Sequence, residues 1–218
     1  MKKLISSLLV MTLLLTLLPA NNAKASSALP DNVAEYYRGV IENSKYVTDS
    51  DKGIYNEEGT QFLLYDVNKD GVKELIVWGS LGLRCKMFSV IYTYDGSEFH
   101  HKVIDGEPVG VTRSAIAFSD PDYEQAGMYR YERKLVYSIS NKAKKTIKLR
   151  GYRTRKFNEK TQKYKTVKNV CYKGMGSSKV KITRTKFNKL YKAYGFKTVG
   201  TSVKAYEATL KNAETYIK

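Results

Sequence analysis

The stretch Tyr65–Leu75, YDVNKDGVKEL, places oxygen-bearing side chains at alternate positions of a short polar segment. Calcium in proteins takes about six to eight oxygen ligands, so a short loop can hold it only if carboxylates alternate and the backbone turns sharply. Gly71 permits such a turn because glycine tolerates positive φ angles. The pattern predicts a calcium site whose ligands are Asp66, Asn68, Asp70, Glu74 and the backbone carbonyl of Val72.

The loop differs from a helix-loop-helix EF-hand, which ends on an acidic residue at its twelfth position and has an apolar residue at its eighth. Val77 and Lys73 occupy those positions, and the flanking runs QFLLYDV and KELIVWG have the composition of strands. The loop instead resembles the strand-loop-strand calcium sites of integrin-like and VCBS-like bacterial repeat domains, with the pattern D-x-[DN]-x-D-G-x-x-[DE]. In that family the equivalents of the five predicted ligands bind the ion. This chain has one copy of the pattern, which argues against a propeller.

Two lysines within the loop affect its expected affinity for calcium. Lys69 and Lys73 lower the local negative charge, so we expect weak, structural calcium binding with a Kd of roughly 10⁻⁴ to 10⁻³ M. The alternative is a polar turn without an ion, in which the Asp66 and Asn68 side chains accept hydrogen bonds from nearby backbone N–H groups and Gly71 closes the hairpin.

The N-terminus has the pattern of a secretory signal peptide. Lys2-Lys3 precedes an apolar run over residues 4–18, and Ala23-Lys24-Ala25 supplies small residues before a cleavage point. That run is shorter than the roughly 18 to 20 residues of a membrane-spanning helix, and no later segment reaches this length. We expect residues 1–25 to be removed and residues 26–218 to form one secreted α+β domain, extracellular or retained at the cell wall. With its aromatic YTYDGSEF hairpin and FNKLYKAYGF helix, the chain resembles uncharacterised secreted proteins of Gram-positive bacteria, and this resemblance implies no known activity.

The formal net charge of +17 is divided unevenly along the chain. Residues 26–127 hold 9 basic and 17 acidic side chains, whereas residues 128–218 hold 26 basic and 4 acidic ones. Internal pairing cannot neutralise that excess, which favours a basic face for an anionic cell-wall polymer, a glycosaminoglycan or an acidic protein. Interleaved tyrosines also suit nucleic acid, but the expected secretion removes most such targets. The alternative is a solvated sheet face that keeps the protein soluble.

The candidate catalytic residues of this sequence give little support for an enzyme, and we expect a non-enzymatic monomer. His100 and His101 are the only histidines, and adjacent residues on a strand point to opposite faces. The segment GMGSSK lacks the spacing of a phosphate-binding loop, so no nucleotide is expected. The alternative function is a secreted hydrolase of wall or glycan substrates with a structural calcium ion. Its candidates are paired carboxylates among Glu57, Glu58, Asp120, Asp122 and Glu124, or Cys85 beside a histidine.

The two cysteines, Cys85 and Cys171, are 86 positions apart, which excludes a CxxC motif. They either form a disulfide in an oxidising exterior or remain two buried thiols.

Periodicity predicts where the helices and strands lie. Helical spacing indicates a helix over Asp31–Val47, another capped by Thr183 and stopped at Gly195, and a last one from Val203 capped by Ser202. The segments between them alternate apolar and polar residues, including one strand over residues 109–118, and residues 120–127 read as a loop. The fold class is therefore α+β, with an antiparallel twisted β-sheet of about seven to nine strands on which an N-terminal helix and two C-terminal helices pack.

Overall fold

A computed structural model describes residues 28–42, 45–46, 54–55, 59–81, 86–125, 129–174 and 176–218, so the predicted signal peptide lies outside the described residues. The helices are α1 (Asp31–Glu42), α2 (Arg184–Ala193) and α3 (Leu210–Tyr216). The strands are β1 (Lys45–Tyr46), β2 (Ile54–Tyr55), β3 (Gln61–Tyr65), β4 (Glu74–Leu81), β5 (Lys86–Tyr94), β6 (Phe99–Asp105), β7 (Glu107–Thr112), β8 (Ala115–Gln125), β9 (Tyr129–Ile139), β10 (Lys145–Asn158), β11 (Lys163–Lys173), β12 (Val180–Ile182), β13 (Lys197–Thr198) and β14 (Tyr206–Glu207). Among the helices described, none has the length and apolar character to cross a membrane.

Two antiparallel sheets contain most of the strands, in the orders β14-β3-β4-β5-β6 and β12-β11-β10-β9-β8-β7-β13, and β1 pairs with β2 separately. The chain passes from one sheet to the other at Gly106, whose φ of 101° suits glycine. The Gly106 N–H donates to the Met87 carbonyl at 2.8 Å, and the Ser89 hydroxyl donates to the Gly106 carbonyl at 2.6 Å. The α+β class with antiparallel strands is confirmed, and this corner divides the strands between two sheets where one was expected.

The sheets and helices form four layers. Successive side chains of a strand point to opposite faces, so on β4 Leu75 and Val77 pack with α1 and α3, while Ile76 and Trp78 face the seven-stranded sheet. All four side chains are at most 4% exposed. Helix α2 covers the far face of the seven-stranded sheet, where Phe187 is 1% exposed. Each layer therefore buries apolar surface against the next, which is the main source of stability.

The N-terminal and C-terminal helices are joined at their ends. The Leu29 N–H donates to the Lys218 carbonyl at 2.8 Å, and Arg38 Nη1 donates to the Ile217 carbonyl at 3.1 Å. Helix α2 begins as predicted, because the Thr183 hydroxyl accepts the Lys186 N–H at 3.2 Å and caps it.

Four predicted elements differ from the structure. The first helix, predicted over Asp31–Val47, ends at Glu42, and Lys45–Tyr46 forms β1. Residues 109–118 contain a turn at Arg113-Ser114 and belong to two strands, β7 and β8. The predicted loop over residues 120–127 is strand as far as Gln125, because β8 continues its pairing with β9. The last helix begins at Leu210, capped by Thr209 and not by Ser202. The segment before it pairs with β3 as β14, and the Ala208 N–H donates to the Thr60 carbonyl at 2.9 Å.

Candidate calcium loop and basic sheet surface

The predicted calcium loop connects β3 to β4 at one end of the five-stranded sheet. Asp66 follows directly on the last residue of β3, and Glu74 is the first residue of β4. Two residues of the loop have positive φ angles, Lys69 at 70° and Gly71 at 91°. Val67 is 1% exposed and packs in the core between the sheets, so it anchors the loop on the fold.

Side-chain oxygens organise the loop through backbone N–H groups. Asp66 Oδ1 accepts the Lys69 N–H at 2.8 Å, and Asp70 Oδ1 accepts the Val72 N–H at 2.9 Å. Asn68 Oδ1 accepts the Asp70 N–H at 3.0 Å, and its Nδ2 donates to Asp70 Oδ2 at 2.8 Å. These are the side-chain turns expected of a polar turn, and they also hold three ligand candidates on one short loop.

Glu74 is the buried member of the set. Glu74 is 1% exposed, and its Oε2 accepts the Val67 N–H at 2.7 Å. Burial, with smaller contributions from the charges of Asp70 and Asp66, raises the pKa of Glu74 to about 9 against the lowering effect of the Val67 hydrogen bond. Ionisation of Glu74 beside the two aspartates is therefore unfavourable, and a bound cation would favour it.

Arg113 supplies a positive charge to this loop from the other sheet. Its Nη2 lies 3.0 Å from Asp66 Oδ2, and its side chain is 61% exposed. Within the described residues no group of three or more histidine, cysteine, aspartate or glutamate side chains is gathered closely enough to hold a metal ion. The donor set fits calcium in type, since all five donors are oxygens, but ligation by all of them requires the carboxylates to move closer together.

The other predicted chemical groups lie apart. His100 Nε2 lies 3.0 Å from Asp95 Oδ2, and the His101 ring packs near Tyr92. Cys171 is a buried free thiol, whereas Cys85 lies outside the described residues, so the disulfide stays untested. A surface cavity of about 370 Å³ between β10, β11 and α2 has neither a carboxylate nor a histidine in its lining. Of the carboxylates considered for hydrolysis, Glu57 and Glu58 lie outside the described residues, and only the backbone is described at Asp120, Asp122 and Glu124.

A basic surface lies on the seven-stranded sheet where the other sheet does not cover it. We call the face toward the five-stranded sheet the inner face and the face under α2 the outer face. Inner-face core residues come from β7, β8, β9 and the first residues of β10, as far as Ile147. The rest of β10, with β11 and β12, overhangs this core. Strand register places six cationic side chains on the overhanging inner face, which we call the basic ledge: Arg150, Lys156, Lys163, Lys165, Lys168 and Lys181.

The register identifies these faces directly. Arg150 is paired with Leu135, an inner-face core residue, and with Tyr172, which in turn is paired with Lys181. Lys156 is paired with Lys165, so two like charges stand directly opposite each other. Such a pair destabilises a sheet. A β-bulge next to Thr154 leaves one extra residue on β11, so Lys168 lies on the inner face with Lys165.

The two faces of the same strands differ in how their charges are paired. On the outer face, Glu132 forms ion pairs with Arg153 at 3.3 Å and with Arg155, and Arg184 Nε donates to Asn169 Oδ1 at 2.7 Å. On the ledge, the five lysines are exposed and form no ion pair with any described residue. Arg150 Nε is buried without a hydrogen-bond partner among the described atoms. The sequence predicted a basic half but not this face, although the alternation of lysines along residues 163–168 was its visible signal.

Comparison with protein-family models, with curated proteins and with solved structures finds no match for this chain, so the resemblance of the loop to integrin-like and VCBS-like sites stays a prediction.

Proposed function

We propose that this protein is a secreted, non-enzymatic module that calcium stabilises and that a basic face holds to an anionic polymer or partner at a cell surface. The observation that supports it most is the basic ledge, where six cations share one uncovered face without an acidic neighbour on that face among the described strands β9–β12. Like charges gathered without compensation oppose folding, so their concentration favours a role in binding an external anion.

The calcium part of the proposal rests on the donor chemistry of the loop. Asp66, Asn68, Asp70, the Val72 carbonyl and Glu74 are all hard oxygen donors, and the positive φ angles at Lys69 and Gly71 bend them onto one short segment. An ion held there would link β3 to β4 and favour the ionised form of Glu74 beside Asp66 and Asp70. Its expected role is to stabilise the fold, since the loop does not line the cavity between β10, β11 and α2.

Retention by charge can be tested with the protein purified from the medium of expressing cells. We expect it to bind Gram-positive cell walls and immobilised heparin at low ionic strength and to elute well before 0.5 M salt, because the Debye length falls to about 3 Å near 1 M. A bovine albumin control excludes nonspecific adsorption. If binding never occurs, or if 0.5 M salt leaves it unchanged, charge-driven retention is wrong.

A further inference from the structure

The spacing of the same-face positions along the ledge favours some anionic polymers over others. Same-face residues of a strand are two positions apart, which is about 6.8 Å, and Lys163 and Lys165 have this separation on β11. Counting from Lys163 to Tyr172, beside Lys181, the ledge is about 30 Å long. Same-face positions of β11 recur about every 7 Å over this length, and each has a cation on β11 or on a neighbouring strand except Val170, which is paired with Tyr152.

Phosphodiester chains with six backbone bonds per phosphate match this interval. A peptide spans about 3.3 to 3.6 Å over its three backbone bonds, so a six-bond repeat of similar bonds spans about 7 Å when extended. Glycerol phosphate polymers and single-stranded nucleic acids both have such a repeat. The spacing alone thus favours a linear phosphodiester over an isolated anion, and the aromatic residues distinguish the two polymers.

Three tyrosines of the inner face, Tyr129, Tyr131 and Tyr172, have side-chain neighbours beside their rings. Tyr129 and Tyr131 stack on each other with ring centroids 6.3 Å apart, and Lys156 Nζ lies 5.8 Å from the Tyr129 centroid. Lys179 Nζ lies 4.7 Å from the Tyr172 centroid. Single-stranded nucleic acid is usually bound by open aromatic faces on which bases stack. The neighbours of Tyr129 and Tyr172 reduce the open aromatic surface, and although Tyr131 is 39% exposed, positive charge is the feature that extends along the ledge.

We propose that the basic ledge binds a linear phosphodiester polymer of the poly(glycerol phosphate) type, extended along β11 with its phosphates at the positions that have cations. This inference rests on the proposed function, because it names the polymer and its place on the basic face. The opposed pair Lys156 and Lys165 then acquires an anionic partner in the complex.

The test compares two triple variants that remove the same charge. The ledge variant is Lys156→Gln/Lys165→Gln/Lys168→Gln, and the control variant is Lys186→Gln/Lys189→Gln/Lys192→Gln on the exposed side of α2. Binding of defined poly(glycerol phosphate) to the full protein is measured by titration at several salt concentrations. If all six ledge cations take part, the slope of log K against log salt is about −4, using the single-strand value, and it falls to about −2 when three of them are removed.

We expect the ledge variant to bind about 100-fold more weakly than the wild type at 0.1 M salt. The two slopes differ by about two, and this difference acts over the tenfold range of salt concentration from 1 M to 0.1 M. The control variant is expected to keep the wild-type slope, and oligomers shorter than four repeats to bind the wild type weakly. The ledge variant should also melt no lower than the wild type because it removes the Lys156–Lys165 repulsion, so its loss of binding is not a loss of folding.

Each other outcome overturns a defined part of the proposal. Equal losses in the two variants would show that the polymer binds by net charge and not at the ledge, while retention at anionic surfaces stands. Tighter binding of single-stranded DNA or heparin than of poly(glycerol phosphate) at equal charge would refute the polymer class. If the wild type binds none of the three, the ledge proposal and the proposed function both fail.

Discussion

The calcium loop and the basic ledge both concentrate like charges, yet the protein treats them differently. In the loop, each aspartate oxygen accepts a hydrogen bond within the fold, and Glu74 is buried against the Val67 N–H. On the ledge, the lysines are solvated and unpaired among the described residues. Charge in the loop is therefore coupled to folding, whereas charge on the ledge is available for binding. Substitutions should affect stability in the first region and ligand affinity in the second.

The largest stability effect is expected at Glu74. Glu74→Ala removes the acceptor of a buried N–H and should lower the free energy of unfolding by about 3 kcal/mol. Glu74→Gln keeps an oxygen acceptor of similar shape and should lose much less. Urea denaturation in calcium-free buffer measures both. A change below about 1 kcal/mol for the alanine variant would mean that the loop is not coupled to folding.

Calcium should give the next largest effect. For a Kd of roughly 3 × 10⁻⁴ M, 10 mM calcium stabilises the folded state by about 2 kcal/mol, which raises the melting temperature by several degrees. Asp66→Ala with Asp70→Ala removes two ligands and should abolish this rise, while magnesium in place of calcium serves as the ion control. If calcium does not change the melting temperature of the wild type, the loop is a polar turn without an ion.

Arg113 offers a smaller test of the same loop. Its guanidinium pairs with Asp66 Oδ2, so Arg113→Ala should free that oxygen and strengthen calcium binding by about two- to threefold, in keeping with the modest energy of exposed ion pairs. Ser114→Ala, in the same turn, is the matched control. Calcium titration by calorimetry measures the change, and weaker binding in the arginine variant would indicate that Arg113 orders the site instead of competing with the ion.

The Asp95 turn, like the loop, has a carboxylate that accepts backbone N–H groups, and its expected effect is confined to acid pH. Hydrogen bonds from the Glu98 N–H, His100 and Ser97 lower the pKa of Asp95 well below its usual range. A carboxyl with a lowered folded-state pKa stabilises the protein above its unfolded-state pKa of about 4, and this stabilisation is lost as the pH falls through the folded-state pKa. Asp95→Asn should flatten the melting temperature below about pH 4 and leave the calcium response unchanged. A calcium response lost in this variant would contradict the distinction between the two turns.

Local patterns determined much of this molecule. The spacing of Asp66, Asn68, Asp70 and Gly71 predicted a turn between two strands, and the structure contains that turn because such side chains bond to backbone groups only a few residues away. The α2 start and the Asp95-Gly96 hairpin followed in the same way from capping and turn residues. Composition also indicated an uncompensated basic half.

Tertiary structure alone decided where those charges lie. Period-two alternation shows that a strand has two different faces, but it does not say which face a second sheet covers. The corner at Gly106 separates the two sheets, and the five-stranded sheet ends before β11, so one lysine-bearing face is left open while Glu132 pairs with arginines on the other. The burial of Glu74 and the approach of Arg113 to Asp66 likewise depend on contacts between distant segments, which no local pattern encodes.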